Sequence, residues 1–167
     1  MNSSADSRLP YNIETMTKTL KLLPLVTFPL LAADPAGFNY WTSAELKALS
    51  KSLGAKMNAQ KISGQPMASY GNHAASISHR EGDGIPELHE KQNDIFIVQT
   101  GEATLIVGGE IVDPKSSGPG EIRGASIKNG VKKALRPGDI VHIPYKTPHQ
   151  LLVPKEFTYF VFKVEAK

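Results

Sequence analysis

Two short patterns in the C-terminal half of the chain contain the residues best suited to chemistry. The first holds Glu87, His89 and Asp94, and the second holds His149. Two imidazoles and two carboxylates are ligand types that manganese, iron and zinc accept as divalent ions. The 167 residues include no cysteine, which excludes thiolate zinc sites, iron–sulfur clusters and cysteine nucleophiles. We therefore expect any metal to be Mn, Fe or Zn, bound by nitrogen and oxygen.

Extended segments would place these side chains on shared faces. Glu87 and His89 are two residues apart, so both point to the same side of a strand. Asp94 shares a face with Phe96 in the next predicted strand, and His149 begins another. If these strands meet, four ligands surround one cation. Coordination positions left open for water or substrate would make such a site catalytic rather than structural.

Most of the chain is predicted to form strands. Turn residues recur every eight to twelve positions from Lys56 onward, which is typical of an all-β sandwich or barrel. The stretch 114–120, rich in Gly, Pro and Ser, is predicted to be a loop. Strands are predicted at 57–62, 67–70, 73–80, 94–99, 103–107, 110–112, 140–143, 149–152 and 157–164.

A short helix is predicted before the strands. Thr42 or Ser43 can cap its N-terminus, and Gly54 ends it. Leucines at 46, 49 and 53 fall on one face at helical spacing, so this face should pack on the β domain.

The first pattern resembles the first motif of the cupin family: Gly, five residues, His-x-His, three or four residues, Glu, six residues, Gly. Gly82 lies one residue from the place of the opening glycine. Glu87 takes the place of the first histidine, His89 is the second, and Asp94 takes the place of the glutamate. Gly101 closes the motif at the right spacing.

The second pattern resembles the second cupin motif: Gly, five residues, Pro-x-Gly, two residues, His, three residues, Asn. Gly138, Pro144 and His149 match it residue for residue. Lys146 replaces its inner glycine and Val153 replaces its asparagine.

The resemblance covers residues 82–167 directly and implies a cupin jelly-roll β-barrel, a metal near its mouth and a homodimer. We expect residues 34–54 to form a linker and the short helix, and 55–167 to form the single barrel domain. Cupins include dioxygenases, isomerases, lyases and proteins without catalysis, so fold does not determine reaction. Two functions stay open: a metal-dependent enzyme acting on a small polar molecule, or a ligand-binding or scaffold module with a degenerate metal site.

The two substituted ligand positions have chemical consequences. Glu87 in place of histidine adds a negative charge, which should favour Mn(II), Fe(II) or Zn(II) over copper. Asp94 is one methylene shorter than glutamate, so it either ligates less closely or acts through water. The alternative is that both carboxylates are merely polar residues.

His79 is a candidate catalytic residue. His73, Ala75, Ile77 and His79 share one face of a predicted strand. If that face lines the barrel, His79 would act as a general base or contact substrate beside the metal. The alternative is a satisfied polar side chain at a strand end.

Residues 1–33 are predicted to be a secretory signal segment, and we expect translation to start at Met16. A short basic stretch precedes an apolar run at 22–33, which is too short to span a bilayer and ends in Ala33. We therefore expect a periplasmic or secreted protein; the alternatives are an ordered arm packed on the barrel and a cytoplasmic protein. The formal net charge of +3 is too small for a nucleic-acid surface.

Overall fold

One helix and thirteen strands make up residues 33–167, the part of the chain that the computed structural model describes. Residues 1–32, and with them nearly all of the signal-like segment, lie outside this part. The elements are α1 (Ser43–Gly54), β1 (Ile62–Ser69), β2 (His73–Arg80), β3 (Glu87–His89), β4 (Gln92–Gly101), β5 (Ala103–Val107), β6 (Glu110–Val112), β7 (Lys115–Gly118), β8 (Glu121–Arg123), β9 (Ser126–Lys128), β10 (Val131–Leu135), β11 (Ile140–Ile143), β12 (His149–Leu152) and β13 (Phe157–Glu165).

The helix begins and ends as predicted. Thr42 is its N-cap: the Thr42 Oγ1 accepts from the Glu45 backbone N–H at 3.2 Å, and Glu45 Oε2 accepts from the Thr42 N–H at 2.8 Å. This reciprocal pair satisfies two N–H groups that an uncapped helix leaves unpaired. Among the described residues, no helix is both long and apolar enough to cross a membrane.

Two antiparallel sheets position the candidate site. Sheet A has the strand order β1-β2-β13-β4-β11, and sheet B has the order β10-β5-β12-β3-β8-β7. The short strands β6 and β9 form a separate pair. Residues 33–167 are thus mostly β, as the turn spacing predicted, with one short helix before the strands.

The main core lies between sheets A and B, and alternating side chains divide β13 between two environments. Tyr159 and Val161 join this core, whereas Phe160 and Phe162 pack on the outer face of sheet A, under α1. This is the period-2 alternation of a strand covered on both sides. The core between the sheets is made of Phe96, Val98, Ala103, Leu105, Leu135, Ile143, Leu151, Val153, Phe157, Tyr159 and Val161.

The prediction of a strand over residues 57–62 is wrong. Residues 58–61 form a turn instead, in which Asn58 Oδ1 accepts from the backbone N–H groups of Gln60 and Ile62, each at 3.0 Å. Lys61 adopts a left-handed φ of 54°, and strand β1 starts only at Ile62. Asparagine favours such local bonding because its side chain competes with strand pairing.

The predicted loop over 114–120 contains strand β7, and β8, β9 and β10 were not predicted. β7 and β10 are mostly exposed and lack the apolar alternation that marks a strand, and β8 and β9 are only three residues long. The glycine at 101 has a positive φ of 76°, and a Cβ there would overlap the Glu156 carbonyl oxygen. That close approach requires glycine at the end of β4.

Candidate metal centre

Four side chains predicted to be ligands lie together between the two sheets. Glu87 and His89 come from β3, His149 from the adjacent β12, and Asp94 from β4 in the other sheet. One ligand atom from each lies within 4.8 Å of every other. The two histidines and Asp94 are almost wholly buried, at 3% exposure or less, and Glu87 is half-buried.

The spacing of these atoms suits one small cation. His89 Nε2 lies 3.2 Å from Asp94 Oδ2, and His149 Nε2 lies 3.3 Å from Glu87 Oε1 and 3.5 Å from Asp94 Oδ2. Two ligands that each bind a metal at about 2.1 Å are about 3.0 to 3.4 Å apart at octahedral or tetrahedral angles. These three distances therefore match those between ligands that share one divalent ion.

His149 has the bonding expected of a metal ligand. Its Nδ1 is 3.0 Å from the Thr147 carbonyl oxygen, which can only accept, so Nδ1 donates. Its Nε2 is buried and faces two carboxylates, at 3.3 Å from Glu87 Oε1 and 3.5 Å from Asp94 Oδ2. A bond from one ring nitrogen to a carbonyl fixes the tautomer that leaves the other nitrogen for a metal.

His89 is oriented by a carboxylate that sequence reasoning missed. Its Nδ1 donates to Glu121 Oε1 at 2.8 Å, and the two residues are directly paired between β3 and β8. The Nε2 lone pair then faces the cluster. Glu121 also pairs with Arg123 Nη2 at 3.2 Å, which holds the carboxylate in place.

Arg123 also holds Glu87. Its Nη1 lies 2.6 Å from Glu87 Oε2, while Glu87 Oε1 faces His149. One carboxylate oxygen is thus engaged by the guanidinium, and the other is directed to the cluster. The pairing follows from register, because Glu87 and Arg123 are opposite each other in β3 and β8.

Lys163 places a cation beside the ligand atoms. It lies opposite Asp94 in the β4–β13 pair. Its Nζ donates to Asp94 Oδ1 at 2.8 Å and lies 2.8 Å from His89 Nε2. An ammonium group therefore already neutralises part of the negative charge of the cluster.

Burial and mutual attraction set the protonation of the cluster. Burial alone would raise the pKa of Glu87, but His149 and Arg123 lower it to about 2. Burial likewise opposes ionisation of Asp94, yet the two histidines and Lys163 hold its pKa well below the usual range. Burial would lower the pKa of His149, but Asp94 and Glu87 raise it to about 9. Without a metal, His149 therefore carries a proton at neutral pH on the atom that a metal would bind.

The turn before His149 joins the two sequence patterns. Lys146, at the position of the missing glycine, has a left-handed φ of 59°. Its backbone N–H donates to the His89 carbonyl at 2.7 Å, and the N–H of Thr147 donates to the Pro144 carbonyl at 3.2 Å. Glycine suits this position because it adopts positive φ without strain.

The structure does not bring His79 to the cluster. His79 shares its face of β2 with Ala75 and Ile77, and that face packs under α1 rather than between the sheets. It lines a separate cavity of about 330 Å³ with Gly54 and Thr158. We expected His79 to act beside the metal only if its strand face lined the interior, and in the structure this face does not.

Four charged residues around the site were missed at the sequence level: Arg80, Glu121, Arg123 and Lys163. The 121–123 segment has the polar–apolar–polar pattern of a strand, which could have indicated that both charges share a face. Lys163 follows Tyr159 and Val161 at two-residue spacing, which places it on the interior face of β13.

These elements define a protein built of antiparallel sheets with two histidines and two carboxylates clustered between them. No protein-family model matches the chain, and no curated protein matches it. Solved structures similar to it include cupin superfamily proteins.

Three of these neighbours illustrate the similarity. An RmlC-like cupin from Shewanella frigidimarina is 17% identical, covers 66% of this chain and 83% of its own, and has a TM-score of 0.49. KdgF from Halomonas sp. is 18% identical over 64% of this chain and 82% of its own, with a TM-score of 0.47. A cupin superfamily protein from Desulfitobacterium hafniense is 13% identical over 67% and 86%, with a TM-score of 0.46.

Proposed function

We propose that this protein is a jelly-roll cupin that binds one divalent metal and acts on or binds a small polar molecule. Glu87, His89, Asp94 and His149 would hold the ion. The observation that carries the proposal is the cluster itself, in which one ligand atom from each of the four residues lies within 4.8 Å of every other between the two sheets. His149 Nε2 faces two of its carboxylates, at 3.3 Å from Glu87 Oε1 and 3.5 Å from Asp94 Oδ2.

The chain supplies what such a centre needs around the ion. A metal bound there would polarise a substrate oxygen as a Lewis acid or serve as a redox centre. Glu121 orients His89, the Thr147 carbonyl orients His149, and Arg123 restrains Glu87. The nitrogen and carboxylate donors favour Mn(II), Fe(II) or Zn(II).

Elemental analysis tests the proposal. Protein purified without added metal should contain close to one Mn, Fe or Zn per chain. The double variant His89→Ala, His149→Ala should contain none. The control is His142→Ala, which removes an exposed imidazole from β11 and should keep the full metal content. Wild-type protein that stays free of metal after incubation with each ion would overturn the proposal.

A second function is favoured by Lys163. Its ammonium lies 2.8 Å from both Asp94 Oδ1 and His89 Nε2, so it already supplies a positive charge where a metal would. In this alternative the protein is a non-catalytic ligand-binding or scaffold cupin with a degenerate metal site. The metal content of wild type and of Lys163→Met separates the two. If the site is a metal site, wild type binds the ion and Lys163→Met binds it at least as tightly. If the lysine has replaced the metal, wild type binds none, whereas Lys163→Met, which lacks the competing ammonium, gains metal binding.

Export and homodimer formation stay predictions. The mature N-terminus from a native host tests the first, since an intact Met1 or Met16 contradicts a cleaved signal. Light scattering after size-exclusion chromatography tests the second through the molar mass.

A further inference from the structure

The cavity next to the cluster has a cationic wall that metal binding does not explain. It has a volume of about 380 Å³ and contains the ligands Glu87, His89 and Asp94 in its lining. Arg80, Arg123 and Lys163 also line it. Cavities of this size accept small molecules, with a few polar groups that fix their orientation.

Arg80 differs from the other two cations because no carboxylate of the described residues forms an ion pair with it. In the part of the chain that the structure describes, Arg123 pairs with Glu87 and Glu121, and Lys163 pairs with Asp94. Arg80 makes no such pair there: its Nε donates to the Tyr159 hydroxyl at 3.2 Å. A guanidinium has five N–H groups in a planar fork, so most of its donors stay available.

The nearest carboxylates in sequence are engaged elsewhere. Asp83 accepts from the Val153 backbone N–H at 2.7 Å, and Glu81 lies 3.4 Å from His79 on the other side of sheet A. Gly84 leaves room for the guanidinium, since a Cβ there would lie 3.3 Å from Arg80 Nη1. Tyr159 therefore holds the Arg80 guanidinium, and no carboxylate of residues 33–167 forms an ion pair with it.

The balance of charge in the cavity indicates the sign of its ligand. The three cations are balanced by three lining carboxylates, those of Glu87, Asp94 and Glu121. A divalent ion would then leave an excess of two positive charges in a partly buried space. An anionic ligand offsets that excess, and a planar carboxylate matches the guanidinium fork through two parallel hydrogen bonds.

The face of β2 that carries Arg80 also offers neutral hydrogen-bonding groups. Ser76 and Ser78 alternate with the residues under α1 and line the same cavity as Arg80. Their hydroxyls both donate and accept, which suits a ligand with hydroxyl groups.

We propose that Arg80 anchors the carboxylate of a small hydroxycarboxylate, with Ser76 and Ser78 binding its hydroxyl groups. The proposal rests on the metal function given above, because the ion supplies the uncompensated charge. Arg80 is then a specificity-determining residue that holds no metal itself.

Calorimetric titration of metal-loaded, dialysed protein with glycerate tests the proposal. Glycerol, which lacks the carboxylate, and inorganic phosphate are the comparison ligands. Wild type should bind glycerate and should bind neither glycerol nor phosphate with comparable affinity. Arg80→Gln should lose about tenfold or more in glycerate affinity, as expected when a charge-assisted hydrogen bond is removed. Arg80→Lys should fall between the two, because it keeps the charge but not the fork.

Metal content separates this inference from the proposed function. Arg80→Gln should keep one metal per chain and a wild-type melting temperature. The control Lys132→Gln removes an exposed cation on β10 and should leave glycerate affinity unchanged. Equal affinity of wild type and Arg80→Gln, no binding of glycerate, or equal binding of phosphate would each overturn the carboxylate assignment. If wild type binds no metal, a loss of glycerate affinity in Arg80→Gln still supports the anchor and only the metal proposal fails.

Discussion

Buried histidines occur in two regions of this protein, and their bonding differs. Under helix α1, His79 has both ring nitrogens near partners: Nδ1 lies 2.7 Å from Thr158 Oγ1, and Nε2 lies 3.4 Å from Glu81 Oε1. Between the sheets, His149 has Nδ1 bonded to the Thr147 carbonyl and Nε2 facing two carboxylates. Burial alone therefore does not identify a site. A buried imidazole nitrogen that faces the carboxylates of two further candidate ligands does.

The largest expected effect is metal-dependent stability that depends on one region and not on the other. At a metal concentration about 1,000 times the dissociation constant, the free energy of unfolding should rise by about 4 kcal/mol. His79→Ala should keep this increase, because its ring is remote from the cluster, whereas His149→Ala should lose it. Thermal melts with and without Mn(II) or Zn(II) measure the difference. The same increase in both variants would remove the distinction between the regions.

The metal-free protein should lose stability in alkaline solution through His149. Its pKa is about 9 in the folded protein against 6.5 in the unfolded chain. Because the folded state holds the proton more tightly, the contribution is complete below about pH 6.5 and is lost as the pH rises through about 9. The shift corresponds to about 3 kcal/mol. Urea unfolding of EDTA-treated protein at several pH values measures it.

The control for that pH dependence is His149→Gln, which cannot be protonated. The difference in unfolding free energy between wild type and variant isolates the contribution of His149 from that of the lysines and tyrosines that also titrate in alkaline solution. A difference that does not change with pH would contradict the proposed charge balance.

Glu121→Gln should weaken metal binding without removing a ligand. The amide still approaches His89 Nδ1 but lacks the negative charge that fixes and polarises the ring. Loss of such a supporting carboxylate costs about 10- to 100-fold in metal affinity. Competition with a metal-sensitive dye measures the change, and Glu110→Gln on β6 is the exposed control. An unchanged affinity would show that Glu121 is only a partner of Arg123.

A smaller effect should come from the turn that carries the second pattern. Lys146→Gly should stabilise the protein by about 0.5 to 1 kcal/mol, because glycine adopts the positive φ at this position without strain. Asn129→Gly, at a position with the same φ of 59°, should gain less, since asparagine tolerates this conformation. Denaturant unfolding compares the two variants. A larger gain at residue 129 would contradict the explanation.

The sequence alone predicted the features that depend on metal-binding residue types or on regularly spaced apolar residues. The helix was predicted because Thr42, Glu45 and three leucines mark its start and its buried face. The four candidate ligands were predicted because Glu87 and His89 share a strand face and because the two patterns resemble the cupin motifs. The helix signals and the shared face of Glu87 and His89 are local, whereas the meeting of the strands was implied by the resemblance.

The remaining features depend on pairing between distant strands. Lys163 reaches the cluster only because β13 pairs with β4, and Glu121 only because β8 pairs with β3. Alternation along β2 did not reveal which side faces the interior: Ala75 and Ile77 are buried under the helix, while Ser76 and Ser78 line the polar cavity. Apolar character did not identify the interior face of β2, because a sheet that is covered on both sides can have its polar face inside.

The most direct test of the central claim is a crystal structure of metal-loaded protein with anomalous diffraction at the metal edge. The account predicts one strong peak bonded to Glu87, His89, Asp94 and His149 at about 2.0 to 2.3 Å. Lys163 Nζ should have moved away from His89 Nε2, since the ammonium and the ion compete for that lone pair. A peak at His79, or no peak between the sheets with Lys163 still beside His89, would contradict the account.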